Sequence, residues 1–290
     1  MLHRCGALTA CEGWADVATG QSAELGTPGG ARTSALAALT LARKAPSDLP
    51  GTHLPYQRLA NRYLVRGLAL FARGRVLAVS GLQHVRPGLD PFILAINHNT
   101  RTEALLVPAL IMLHRGGRLV HFLADWNFRL IPGIGLLYRR AETITVTTKH
   151  ARPRVLDALK PFYRNSRSVL DRARLCLAHG RSIGIFPEGT VNRDPRRLLA
   201  GRRSVALLSL ETGVPVVPVG IRFPRAEPNR PIRDRDLMEV HIGPPLCPPP
   251  PAASRLQFAA LHDWHAAVMT EIARLSGKSW TPDTEGRHEL

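Results

Sequence analysis

The sequence lacks the features of a disulfide-bonded, membrane-spanning or secreted protein. Its four cysteines are scattered and form no CxxC pair, which is expected in a reducing compartment. No uncharged apolar run reaches the roughly 18 residues that a membrane span requires. The N-terminus also lacks the charged, apolar and small-residue order of a secretory signal. We therefore expect a cytoplasmic protein that does not cross the bilayer.

Several enzyme motifs are missing as well. The phosphate loop GxxxxGK[ST] is absent, and no HExxH pair or Cys/His cluster predicts a metal site. The stretch GRSIG, at 180–184, fits the GxSxG pattern of serine hydrolases. That elbow needs a strand before the serine and a helix after it, whereas here a helix is predicted before Ser182 and a strand after it. We therefore do not expect Ser182 to be a nucleophile, and no metal or cofactor is expected.

Acidic and aromatic residues are few. The chain has 22 Asp and Glu residues against 39 Lys and Arg residues, which gives a formal net charge of +17. Residues 51–240 hold all of this excess, and most of their cations are arginines. Such a field attracts nucleic acid, anionic lipid headgroups or phosphorylated substrates. Aromatic residues make up only 6% of the chain, and no DNA- or RNA-reading motif occurs, so nucleic acid is not an expected partner.

The length of 290 residues suits one large α/β domain. Residues 1–50 are rich in Ala, Gly, Thr and Ser and predict a flexible extension. An amphipathic helix is predicted within 51–75. The main globular domain is predicted over 76–275, and a C-terminal tail over 276–290. Within the domain, short apolar strands alternate with helices, which predicts an α/β fold with a mixed, mostly covered sheet and flanking helices.

The helix predicted from Pro55 to Arg75 has two readings. Apolar residues such as Leu59, Tyr63 and Leu70 recur at helical spacing, with arginines between them. The helix can pack on the core and leave a solvated basic face, or it can lie on a membrane surface. The sequence leaves both open.

The stretch NHNTRTE, at 97–103, places His98 five residues before Glu103 at the start of an apolar run. A carboxylate at this distance can orient a histidine that acts as a general base. The alternative is a capping box, in which Thr100 and Glu103 bond to the backbone at a helix start. The two roles can coexist, because a carboxylate has two oxygens.

Further blocks follow in a fixed order. After NHNTRTE come HFLADWNFRLIPGIG, then FPEGT at 186–190, then VPVVPVGI and VHIGPPL. In this order they resemble the glycerolipid acyltransferase family of 1-acylglycerol-3-phosphate acyltransferases, which carries NHxxxxD and FPEGTR. The resemblance spans about Val76 to Leu246 and implies transfer of a fatty acyl group to a lysophospholipid-type hydroxyl, at the cytoplasmic face of a membrane. Acyl-CoA or acyl carrier protein would be the donor, and an anionic membrane surface a further partner.

The resemblance also implies roles for individual residues. His98 would be the general base and Glu103 the acid that orients it. Glu188, Gly189 and Thr190 match the acceptor-site motif, and Asn97, which precedes the base, is expected to bind substrate as well. These assignments are expectations, and a non-catalytic basic protein that binds nucleic acid or lipid on the same fold is the alternative.

The sequence departs from the family pattern at the acid and at three cations. Glu103 stands where the family has aspartate, one methylene shorter. Asp125, Thr148 and Val191 stand where cations are frequent in the family. In such a basic chain other cations can replace them, and Lys149 and Arg193 are predicted to bind the acceptor.

Overall fold

A computed structural model describes residues 54–57, 59–131, 134–147, 150, 154–163, 166–250 and 257–282. The extension predicted at 1–50 lies outside these residues. In chain order the helices and strands are α1 (Leu59–Arg73), β1 (Val76–Ser80), β2 (Ile93–Ile96), α2 (Glu103–His114), β3 (His121–Asp125), α3 (Ile134–Arg140), β4 (Ile144–Val146), α4 (Val169–Ala178), β5 (Ile183–Ile185), α5 (Ser204–Thr212), β6 (Val216–Arg222), β7 (Met238–Ile242) and α6 (Gln257–Ser276). Short 3-10 helices lie at Leu82–Val85, Pro87–Leu89, Trp126–Leu130 and Arg154–Tyr163.

The described strands form one mixed sheet in the order β1-β7-β6-β2-β5-β3-β4. The strands from β6 to β4 run parallel to one another, while β7 is antiparallel to β6 and parallel to β1. The central strand β2 pairs with β5 on one side and with β6 on the other. The predicted α/β fold with a mixed sheet is therefore confirmed.

Helices cover both faces of this sheet. Along β2, Leu94 and Ile96 belong to one core and Ile93 and Ala95 to the other, as the two-residue period of a strand requires. The first core contains apolar side chains of α1 and α2, and the second contains those of α4, α5 and α6. Because β2 is buried on both faces, its sequence is a continuous apolar run.

Helix α1 packs on the domain through one side and exposes apolar side chains on another, and its contact with a membrane stays a prediction. Its buried side is made of Val65, Ala69 and Ala72, residues small enough for a close approach to neighbouring helices. Val65 shares a small core with Met112 of α2. The larger apolar residues point outward instead: Leu59 is 69%, Tyr63 71% and Leu70 45% exposed. In the described part of the chain, no helix is long and apolar enough to cross a membrane.

The described residues of the predicted C-terminal tail contact the domain. The tail was predicted over residues 276–290. Within it, Ser279 forms an isolated β-bridge with Arg197, and the Trp280 indole N–H donates a hydrogen bond to the carbonyl of Ala200. The reason is the end of α6. Gly277 adopts a left-handed conformation (φ 69°) and the N–H of Lys278 donates to the carbonyl of Ala273 at 3.1 Å, a Schellman motif that turns the chain back onto the domain.

Candidate active site

The NHNTRTE and FPEGT stretches lie at the carboxyl ends of neighbouring parallel strands. Strand β2 ends at Ile96 and β5 at Ile185, and the two strands pair directly. The loops that follow them begin with Asn97 and Phe186, so NHNTRTE and FPEGT lie side by side. This is where α/β sheets place their functional loops.

His98 and Glu103 form a hydrogen-bonded pair. His98 Nδ1 lies 3.0 Å from Glu103 Oε1; the histidine side chain is 16% exposed and the carboxylate is fully buried. The imidazole also packs on the Phe186 ring, with ring centroids 4.5 Å apart. A carboxylate only accepts hydrogen bonds, so Nδ1 carries the proton that it donates to Glu103. This leaves Nε2 as the nitrogen that can accept a proton.

Glu103, the first residue of α2, also bonds to the loop before the helix, in part of the capping-box pattern. The N–H of Glu103 donates to Thr100 Oγ1 at 3.4 Å, as in a capping box. The reciprocal bond goes one residue further back, from the N–H of Asn99 to Glu103 Oε1. Asn99 Nδ2 adds a bond to Oε2 at 3.3 Å. The same buried carboxylate thus binds the imidazole and fixes the loop that carries it.

The carboxylate of Glu188 is occupied by internal partners. Its Oε1 accepts from the N–H of His98 at 2.8 Å. Its Oε2 accepts from Asn192 Nδ2 at 2.7 Å and from the N–H of Leu199 at 3.0 Å. The side chain is nearly buried. Its observed contacts therefore hold the loops together, and its predicted contact with the acceptor stays a prediction.

The observed contacts of the Asn97 side chain are with the backbone of β6. The residue is fully buried, its Oδ1 accepts from the N–H of Ile221 at 2.7 Å and its Nδ2 donates to the carbonyl of Ile221 at 3.2 Å. The amide therefore extends the pairing of β2 with β6 beyond the last strand residue. These contacts fix the start of the loop that carries His98, and the predicted contact of Asn97 with a substrate stays a prediction.

The turn at Gly189 and Thr190 lies beside an arginine. Gly189 has φ 68°, and a Cβ at this position would come within 2.8 Å of Arg202 Nε. The N–H of Arg202 donates to the carbonyl of Pro187 at 2.7 Å. Thr190 and Arg202 are exposed. The Arg202 cation therefore lies beside the FPEGT turn, although Arg202 is twelve residues after Thr190 in the sequence.

The structure describes one of the two cations that were predicted to bind the acceptor. Arg193 donates to the carbonyl of Ile232 and to Asp234 Oδ2, both at 2.8 Å. This pairing lowers the pKa of Asp234, first through the hydrogen bond from Arg193. Arg193 thus already has an anionic partner within the chain. Lys149 and Thr148 lie outside the described residues.

A buried lysine near the pair was missed by the sequence analysis. Lys278 is only 8% exposed, and its Nζ donates to Asn99 Oδ1 and to the carbonyl of Asp194. Burial lowers the pKa of Lys278, while Glu188, Glu103 and Asp194 act in the opposite direction. The only sequence signal was Gly277 as a helix stop, which does not say where the next residue points.

Other candidate groups are structural. Ser182 is buried, accepts from the N–H of Phe92 at 3.0 Å and donates to Asp90 Oδ1. Helix α4 precedes it and β5 follows, so the GRSIG stretch is not a nucleophile elbow. Asp125 caps the 3-10 helix at Trp126–Leu130, with Oδ1 accepting from the N–H of Asn127 at 3.3 Å. Over the described ranges, no group of three or more His, Cys, Asp or Glu side chains is placed to hold a metal ion.

Comparison with known proteins identifies the family. A family model described as Acyltransferase matches residues 76–222, half of the chain. The chain belongs to the acyltransferase family. The region matched in this acyltransferase contains His98, Glu103 and the FPEGT turn, whereas α1, α6 and Lys278 lie outside it.

A solved structure is also similar to this acyltransferase. It is the crystal structure of the 1-acyl-sn-glycerophosphate (LPA) acyltransferase PlsC from Thermotoga maritima, which is 20% identical in sequence. The match has a TM-score of 0.49 and covers 76% of this chain and 83% of that one. No curated protein matches the sequence.

Proposed function

We propose that this acyltransferase moves a fatty acyl group from acyl-CoA or acyl carrier protein to the hydroxyl of a lysophospholipid, such as 1-acylglycerol-3-phosphate. The observation that carries the proposal is the bond between His98 Nδ1 and the buried carboxylate of Glu103 at 3.0 Å. It orients the imidazole so that Nδ1 faces the carboxylate and Nε2 is the nitrogen that can take a proton from an alcohol. General-base help of this kind contributes roughly 10² to 10⁴ in rate.

The reaction needs no covalent enzyme intermediate. The acceptor hydroxyl oxygen attacks the thioester carbonyl carbon while its proton passes to His98 Nε2. The tetrahedral intermediate then collapses, the C–S bond breaks, and the leaving thiolate takes the proton back from the imidazolium. The Glu103 carboxylate stabilises the imidazolium, as an aspartate does in a serine protease triad.

The acceptor's phosphate is assigned to Arg202. Arg193 is paired with Asp234, and the Arg203 guanidinium lies over the Phe258 ring at 5.3 Å. Arg202 is exposed and lies against Gly189, whose neighbour Glu188 binds the backbone of His98. Among these three arginines, Arg202 is therefore the one placed to bind an anion near the base. Arginine suits a phosphate because its guanidinium can donate two parallel hydrogen bonds.

The enzyme is proposed to work at the surface of an anionic membrane, on its cytoplasmic side. Exposed Leu59, Tyr63 and Leu70 form one stripe on α1, with arginines such as Arg62 and Arg66 beside it. An apolar stripe flanked by cations binds the boundary between headgroups and acyl chains. A lysophospholipid acceptor resides at that boundary.

The test is a thiol-release assay with acyl-CoA and a panel of lysophospholipid acceptors. The wild-type protein should release thiol only when an acceptor is present, and His98→Ala should lose nearly all of this activity while it keeps its fold. His179→Ala is the matched control, since His179 is exposed and its Nδ1 bonds to the carbonyl of Leu175 in its own helix. Absence of transfer to every acceptor, from acyl-CoA and from acyl carrier protein, would contradict the proposal.

A further inference from the structure

The C-terminal segment brings a positive charge to the site from outside the family region. Gly277 ends α6 in a left-handed conformation, and the turn directs Lys278 into the domain. Lysine is rarely this buried, because removing an ammonium group from water is costly unless the group is well paired. A specific set of partners must therefore offset that cost.

The partners of Lys278 lead to the histidine. Its Nζ donates to Asn99 Oδ1, and Asn99 in turn donates from its N–H to Glu103 Oε1 and from Nδ2 to Oε2. Glu103 binds His98 Nδ1. A continuous chain of hydrogen bonds thus runs from Lys278 through Asn99 and Glu103 to the imidazole. The second bond of Nζ, to the carbonyl of Asp194 at 2.6 Å, holds the ammonium in place.

The charges around the histidine give Lys278 a second effect. Glu103 is fully buried and Glu188 nearly so, and both carboxylates contact His98. With a neutral imidazole, one buried cation faces two buried anions. When His98 takes a proton during the reaction, the charges balance. The other charged groups nearby, Asp194, Arg101 and Arg202, are exposed and so are screened by solvent.

We propose that Lys278 is a positioning residue for the His98–Glu103 pair: through Asn99 it fixes the Glu103 carboxylate, and its positive charge offsets part of the negative charge of the two carboxylates that contact His98. This inference rests on the proposed role of His98 as a base. Without the cation, two uncompensated carboxylates favour the imidazolium.

The experiment replaces Lys278 with Met, which keeps the length of the side chain and removes its charge. The titration of the His98 imidazole is followed by NMR, with the signal assigned by its loss in His98→Ala. We expect the titration midpoint in Lys278→Met to move up by about one pH unit. The acid limb of the kcat/KM profile should move in the same direction, and kcat at neutral pH should fall at least about ten-fold. Because the NMR titration needs no turnover, it separates this inference from the proposed activity.

Three further variants sharpen the test. Lys278→Arg retains the charge and should leave the midpoint near its wild-type value. Lys278→Gln retains a donor without the charge and should shift the midpoint as Met does. Arg274→Met is the matched control, because Arg274 is exposed on α6 and pairs with Glu271. An unchanged midpoint in a folded neutral variant would overturn the inference. Failure of both neutral variants to fold would overturn it too, since Lys278 would then support the domain and not the pair.

Discussion

The Glu188 carboxylate accepts a hydrogen bond from the backbone N–H of His98, with oxygen and nitrogen 2.8 Å apart. Its second oxygen is bonded to Asn192 and to the backbone of Leu199. One side chain thus ties the loop after β2 to the loop after β5. The position of the histidine backbone therefore depends on a residue ninety positions away.

Replacement of Glu188 tests whether this carboxylate positions the base or binds the acceptor. Glu188→Gln keeps an acceptor for the His98 N–H but turns an NH₂ group toward the donors of Asn192 and Leu199. We expect kcat to fall at least about ten-fold, with little change in the KM of the acceptor, because a positioning bond acts on the chemical step. Steady-state kinetics with varied acceptor measures both. A raised acceptor KM with unchanged kcat would instead support the direct contact predicted from the sequence.

Substitution of Glu103 tests whether its carboxylate acts on His98 or only stabilises the start of α2. Glu103→Gln should lower kcat by about 10² or more, because a neutral amide no longer stabilises the imidazolium. Glu103→Asp keeps the charge, and its activity should stay within about ten-fold of wild type. Glutamine is itself a capping-box residue, so a harmless Glu103→Gln would show that the bond to His98 has no catalytic role. Initial rates and thermal unfolding of both variants provide the measurement.

Sequence periodicity and motif order predicted the sheet, its helices and the His98–Glu103 pairing, because these depend on local patterns and on strand ends that meet in any parallel sheet. Side-chain contacts between residues far apart in the chain could not be predicted from such local patterns. Arg193 looked available two residues past Val191, but Asp234 binds it from forty-one positions away. Asn97 looked like a site residue, yet it bonds to Ile221. Lys278 was placed in the predicted tail, because the direction of the turn after α6 depends on how that helix packs, which the sequence pattern does not show.

Two arginine variants distinguish binding of the acceptor from support of the loop. Arg202→Ala should raise the KM of lysophosphatidic acid at least about ten-fold and change the KM of an uncharged acceptor little, since it removes a phosphate partner. Arg193→Ala should mainly lower the thermal unfolding temperature, because it breaks the bonds to Asp234 and Ile232. The opposite pattern would return the acceptor site to Arg193, as the sequence suggested.

The exposed stripe of α1 should govern binding to membranes. Tyr63→Ser combined with Leu70→Ser removes two exposed apolar side chains from one face and should weaken sedimentation with anionic vesicles at least about ten-fold. High salt should release the wild-type protein, because each Lys or Arg near the surface contributes about 1 kcal/mol. Leu175→Ser, at an exposed position on α4, is the control. Equal binding by all variants would show that another surface meets the membrane.

The pairing of β2 with β5 and β6 also determines when the site forms during folding. Ile93 lies opposite both Ile183 and Val216, and Asn97 continues this pairing to Ile221. Each of these contacts closes a loop of about ninety residues or more, and the entropy of loop closure opposes folding before the contacts stabilise the chain. Helices such as α2 need only local contacts and can form earlier. After dilution from denaturant, recovery of acyl transfer should therefore lag behind recovery of helical circular dichroism.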